Sequence, residues 1–319
     1  MPVWNRITDT EAGYAHSLSQ AMTILDWRFP EFLQPIDQGA LVVVSDYSGQ
    51  HREATHESYS FLLTTRPKIE AWTVKRDAFR AEWLPDGRRM SFKRLSDGIR
   101  RRALGPFLDL TFGLPGNLVT VMIDKQLGSF CGDSSELANL FPDCFPDSTP
   151  RRTIEKMFTL SSLLAMVIVG FRREDQESYW ISDEDEALDT HEKREGFARL
   201  ASYLTFGFAR WREPADQWFG TTGSPNAPPW AEDLAAVPDL MAGATCVLSS
   251  VLPRFFGRKE ELTRIVNSGG TDDTRARFIL DWLDVQQRPL RSTLLRLERD
   301  RSGDVRSSYQ IHRGNLPRQ

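Results

Sequence analysis

Apolar runs that end on a carboxylate recur along this chain. Leu41 to Ser45 (LVVVS) leads to Asp46, Leu118 to Ile123 leads to Asp124, and Tyr179 to Ser182 leads to Asp183. Each run is short and nearly continuous in apolar or β-branched residues, which predicts a strand buried on both faces. Tyr59 to Thr65 reads as a further strand after a polar turn, and Ile69 to Leu84 as another strand or a mixed segment. Helical spacing of apolar positions predicts helices over Thr10–Trp27, Ser91–Leu110, Thr153–Gly170, Glu192–Arg212, Asp239–Leu252 and Thr271–Arg299. The Thr153–Gly170 helix is apolar almost all round after its first turn, so burial on more than one face is expected. Gly128–Pro150 and Thr221–Pro229 carry the Gly, Pro, Asp and Ser content of loops.

Strands alternating with helices predict an α/β fold with a mixed sheet flanked by helices. The expected organisation is an N-terminal helical extension over residues 1–38, a sheet domain over 39–255, and a C-terminal helical extension with a polar tail over 256–319. No internal repeat is visible.

Composition narrows the reading only a little. A chain of 319 residues with 40% hydrophobic residues can bury a sizeable core. A formal charge of −4 gives no global basic field to attract nucleic acid, so any such contact must come from local patches. Three cysteines lie far apart, without the spacing of a zinc site or a disulfide framework. The first residues lack a signal-peptide pattern, and the apolar stretch Leu160–Phe171 is short for a bilayer span, so a cytoplasmic location without membrane contact is expected. No GxSxG, HExxH or P-loop pattern occurs, which leaves serine hydrolase, zincin and P-loop readings without a motif.

The acids carry the candidate chemistry. In open α/β sheets ligands sit outside the carboxyl ends of the strands, which is where Asp46, Asp124 and Asp183 are predicted to lie. Carboxylates on neighbouring strands repel one another unless a positive charge stands between them. A hard divalent cation, Mg²⁺ or Mn²⁺, bound by oxygen ligands alone, would supply that charge. A fourth acid, Asp239, opens the small-residue helix in VPDLMAGA, and Asp185 lies in the acid run after Asp183. Each acid also has a plainer role open to it: Asp46 as a turn former in DYSG, Asp183 as a helix-start acid, Asp239 as a first-turn acid. His51 and His56 fall in the turn after Asp46.

The order of elements, with Asp46-Tyr47-Ser48-Gly49 after the first strand and Asp239-Leu240-Met241-Ala242-Gly243 on a late helix, resembles the RNase H-like superfold. It is most similar to an uncharacterised bacterial family, the domain of unknown function numbered 3800. That family opens with Asp-Glu-Ser-Gly, so Tyr47 stands where it commonly has Glu. Coverage runs from about residue 40 to 255. The resemblance implies a mixed sheet with the first strand central, the Asp124 and Asp183 strands beside it, and the Asp239 helix across their ends. It implies metal-dependent phosphodiester hydrolysis, with Asp46 bridging two ions, Asp124 and Asp239 holding one each, and Asp183 or Asp185 completing the shell. Asp97 falls where such enzymes often place a helix carboxylate, although a surface acid fits that position equally.

Nucleic acid, DNA or RNA, is then the expected partner, with Lys93, Arg94, Arg101 and Lys125 as candidate phosphate contacts. The alternative is a catalytically inactive scaffold of the same fold that binds a protein partner, in keeping with Tyr47 and the acidic charge.

Overall fold

Seven strands form one mixed sheet in a computed structural model that describes residues 2–36, 38–130, 134–146, 149–183, 187–209, 215–249, 273–283, 288–300 and 302–311. The strands are β1 (Leu41–Ser48), β2 (His56–Thr65), β3 (Gly116–Asp124), β4 (Ser178–Ser182), β5 (Gln217–Thr221), β6 (Leu290–Arg299) and β7 (Val305–Ile311). Their spatial order is β5-β4-β1-β2-β3-β6-β7. β1, β2 and β3 run as an antiparallel meander, β4 is parallel to β1 and β5 to β4, and β6 is parallel to β3. β7 closes the far edge antiparallel to β6.

Side chains alternate across a strand, and in β1 that alternation feeds two cores. Leu41 and Val43 point into one with Tyr59, Phe61 and the buried helix α5 (Arg151–Phe171). Val42 and Val44 point into the other, covered by α2 (Arg66–Trp83), α3 (Gly98–Phe112), α7 (Ala231–Ser249) and α8 (Thr274–Leu283). The first core also holds α1 (Tyr14–Arg28) and α6 (His191–Ala209), while α4 (Ser134–Leu140) packs beside α5. α5 is buried all round, as its sequence demands. It is long and apolar enough to cross a membrane by length and composition, but 83% of that apolar window lies inside the fold.

Four expectations change. The Ile69–Leu84 stretch is helix throughout, because Ile69, Trp72 and Phe79 share one buried face. Its strand-like residues misled a short-window reading. A strand precedes the Thr221–Pro229 loop, and β5 is only five residues long. The Ser91–Leu110 helix begins late: Phe92–Arg94 is a single 3-10 turn, and α3 starts at Gly98 with Asp97 as its N-cap.

Most consequentially, the C-terminal region is not all helical. After α8 it adds β6 and β7 to the same sheet, so residues 290–311 belong to the sheet and not to a helical extension or tail. Leu, Arg and Glu in LLRLER favour helix in isolation, yet pairing with β3 along eight register positions overrides that preference. Leu18, Met22 and Leu25 of α1 share a core with Leu295 and Leu297 of β6, so the N-terminal addition is also built onto the sheet.

One buried ion cluster fixes α7 over this sheet. Asp233 is fully buried and accepts from Arg76 Nε at 2.5 Å and from Arg80 Nε at 3.0 Å, with a further contact to Arg80 Nη2. Both arginines project from α2, so the carboxylate ties α2 to the start of α7. Asp233→Ala leaves two arginines around an apolar cavity, and breaking a buried pair in this way costs about 3–5 kcal/mol. The midpoint of urea unfolding should fall accordingly, with the double variant Arg80→Met/Asp233→Leu recovering part of the loss.

Candidate functional site

Asp46 lies near the end of β1, where its carboxylate accepts from the backbone N–H of Tyr47 at 2.6 Å. The chain then turns through Ser48 and Gly49 into β2. Gly49 has φ +93°, and a Cβ there would meet the carbonyl oxygen of His56 at 2.3 Å. The glycine of DYSG is therefore required by the turn itself.

Asp183 follows β4. Ser45 and Ser182 are register partners in the parallel β1–β4 pair, so the two aspartates emerge side by side, about 4.8 Å apart at the backbone. Asp239 comes from above, on α7. It stands two turns inside that helix and does not open it, since α7 starts at Ala231 and carries Pro238 in its interior. Its carboxylate accepts from the backbone N–H of Phe92 at 2.8 Å. One turn on, Gly243 leaves room for the Phe92 ring, which a Cβ would meet at 2.3 Å. Here Gly serves close approach and not backbone freedom: it lets the Arg89–Phe92 segment lie against α7.

Asp46, Asp183 and Asp239 together line a cavity of about 490 Å³, with Arg89, Ser91, Lys93 and Arg94 on its other side. Arg89 grips Asp183 with both arms of its guanidinium, Nη2 to Oδ2 at 2.8 Å and Nη1 to Oδ1 at 2.9 Å. Thr222 Oγ1 also donates to Asp183 Oδ1 at 2.8 Å. Burial, then the Asp239 charge, pushes the Asp46 carboxyl well above its ordinary value, against the Tyr47 N–H and Arg89. Burial likewise raises Asp239, opposed by its bond from Phe92 and by Arg89. The pocket thus combines two strained carboxylates, a third held by an arginine, and a cationic wall.

Asp124 does not join them. Asp46 pairs with Ser60 and Ser60 with Thr120, so Asp124 lies four residues beyond Asp46's register and two strands away. At about 3.3 Å per residue and 4.8 Å per strand the separation is roughly 16 Å, too far to share a pair of ions. The expectation that β3 lies beside β1 is corrected by β2, which separates them. Asp124 caps the 3-10 turn after β3 by accepting from Gln126 N at 2.9 Å. It neighbours Arg296 and Glu298 of β6, where burial lowers the arginine to about 10.

The remaining candidates divide. Lys93 and Arg94 line the acid cavity, whereas Lys125 lines a second cavity with Asp124 and donates to the His51 carbonyl at 2.7 Å. Arg101 is exposed on α3 and lines neither cavity. Asp97 accepts from Ile99 N and pairs with Arg88 and Arg100, which is a capping and bracing role. Tyr47 turns its ring to the opposite face, beneath Lys156 Nζ at 4.7 Å from the ring centre. His56 is buried in β2 opposite Asp124, not in a turn. Asp185 lies outside the described residues. Arg89 is the component that sequence reading missed; in PDGRRMSF it looks like any surface arginine, and its only signal is its place just before the Phe92 segment.

Among the described residues, no group of three or more His, Cys, Asp and Glu side chains is arranged to hold a metal ion. The donor chemistry of the cavity, carboxylates without Cys or His, is that of a hard divalent cation. The arrangement is not, because Asp183 is turned onto Arg89 and Asp239 onto Phe92 N. No family model matches the chain, and no curated protein matches it in sequence.

The raised Asp46 carboxyl makes stability depend on pH. Its folded value lies above the ordinary 3.8, so the folded protein holds this proton more tightly than the unfolded chain. That stabilisation is complete below about pH 3.8 and is lost as pH rises through the folded value. Asp46→Asn cannot ionise, so it should melt higher than wild type at pH 7 without divalent ions. The gap should close on acidification towards pH 4, and an equal gap at both pH values would contradict the assignment.

Proposed function

We infer that this protein is a metal-dependent nuclease on an RNase H-like sheet, hydrolysing phosphodiester bonds at the Asp46–Asp183–Asp239 cavity. The observation that carries the reading is the convergence of three carboxylates from β1, β4 and α7 outside the carboxyl ends of two parallel strands. Support for the fold comes from a central β1, an aspartate-ended β4 parallel beside it, and an aspartate-bearing helix across the strand ends.

Asp46, Asp183 and Asp239 are the residues that would hold Mg²⁺ or Mn²⁺. Such an ion supplies hydroxide near neutral pH and neutralises charge on a phosphoryl oxygen. The chain's own residues do the rest. The Tyr47 and Phe92 N–H groups orient Asp46 and Asp239, and Thr222 orients Asp183. Lys93 and Arg94, exposed on the rim, give phosphate a cationic wall opposite the acids. Asp124, Asp97 and Lys125 have no part in it.

The inactive-scaffold reading has one observation in its favour, the double hold of Arg89 on Asp183, which gives the carboxylates a counter-charge from the chain itself. The two are separated by cleavage of labelled single- and double-stranded DNA and RNA with Mn²⁺. Asp46→Asn, Asp183→Asn and Asp239→Asn should each lose more than the roughly 10–100-fold typical of an outer partner of a metal site. Asp124→Asn should cleave like wild type. A wild type inactive on all four substrates ends the nuclease reading.

A further inference from the structure

We propose that Arg89 is a displaceable latch: a tethered cation that holds Asp183 in the ion-free protein and gives it up to a divalent cation. This rests on the reading of the cavity as a cation site, and goes beyond it by assigning the residue that controls access to the site.

The geometry favours exchange over a permanent bridge. The backbone around Arg89 is pinned on both sides. Its own carbonyl accepts from Arg100 Nε at 2.7 Å, and Phe92 N donates to Asp239. Arg88, one residue before, is held by Asp86 and Asp97. Only the Arg89 side chain is left to move, and it ends in the cavity and not in a core. Side-chain exposure is 26% for Arg89 and 33% for Asp183, so water and ions reach the pair without unfolding.

Charge supplies the driving force. A guanidinium brings one positive charge to three carboxylates, and Asp46 and Asp239 remain raised in its presence. A divalent cation brings two, and it can meet Asp46 and Asp239 as well as Asp183. Arg89 feels all three acids, Asp183 most strongly through its hydrogen bonds, then Asp46 and Asp239 through space. It therefore competes with an incoming ion for the whole cluster. Thr222 keeps Asp183 oriented when the guanidinium leaves, because its hydroxyl approaches from a different residue and element.

A purely structural salt bridge and a latch differ in one measurable sign. Removing a structural bridge lowers stability and leaves ion affinity unchanged or weaker, whereas removing a competitor tightens it. Full-length wild type, Arg89→Gln and Arg89→Lys are titrated calorimetrically with MnCl₂ alone, and melted with and without it. Arg89→Gln should bind Mn²⁺ about tenfold tighter, the scale of one charge-assisted contact, and its ion-free melting temperature should be lower and its rise with Mn²⁺ larger than in wild type. Arg89→Lys keeps the charge but loses the two-armed grip, so its affinity should fall between the two; it carries the test if Arg89→Gln does not fold. Equal or weaker Mn²⁺ binding in the folded variants overturns the latch, as does a lack of Mn²⁺ binding in all three proteins. Tighter binding by Arg89→Gln, with every nucleic acid left uncut, keeps the latch and removes only the nuclease reading.

Discussion

Three carboxylates brought to one end of a sheet must be held against their own repulsion, and this constraint organises the structure around them. Asp46 bears most of it, buried and beside two other acids, with its proton affinity raised as a result. The fold offsets the repulsion with donors placed around the cavity: the Tyr47 and Phe92 N–H groups, the Thr222 hydroxyl and the Arg89 guanidinium. The sequence reading asked for a positive charge between the acids and assigned it to a metal ion. The chain itself provides one in Arg89, which makes the site intelligible both with an ion and without one.

Everything that delivers these groups is rigid. Parallel pairing of β1 with β4 sets Asp46 beside Asp183. The Asp233 cluster ties α7 to α2, and that fixes where Asp239 hangs over the strand ends. Gly243 then admits the Phe92 ring, drawing in the segment that bears Arg89. Strand register, a buried ion cluster and one missing Cβ therefore act on the same few ångströms of cavity.

The placement of Asp124 shows how closely alike two strand ends can look in sequence. VTVMID and LVVVSD are the same pattern, and both fold as buried strands ending in aspartate. Their acids part because β2 lies between the strands and because β3 continues four register positions farther. There Asp124 serves as a cap on the next turn, the plain role open to any aspartate after a strand.

Local physics was enough to identify the buried strands β1 to β4, the all-round apolar helix α5, the acids of the cavity and the glycine that DYSG needs to turn. Each depends on a run of neighbouring residues whose apolar period or turn chemistry has one economical outcome. β5, β6 and the helical character of α2 were hidden, because five residues carry little pattern, LLRLER favours helix until β3 pairs with it, and α2 spreads its few apolar residues over one face. Which acids meet, and that Arg89 stands among them, was decided only by tertiary structure. Strand order and register are set by contacts between residues far apart in the chain, and an arginine's partner depends on where its long side chain finds a charge.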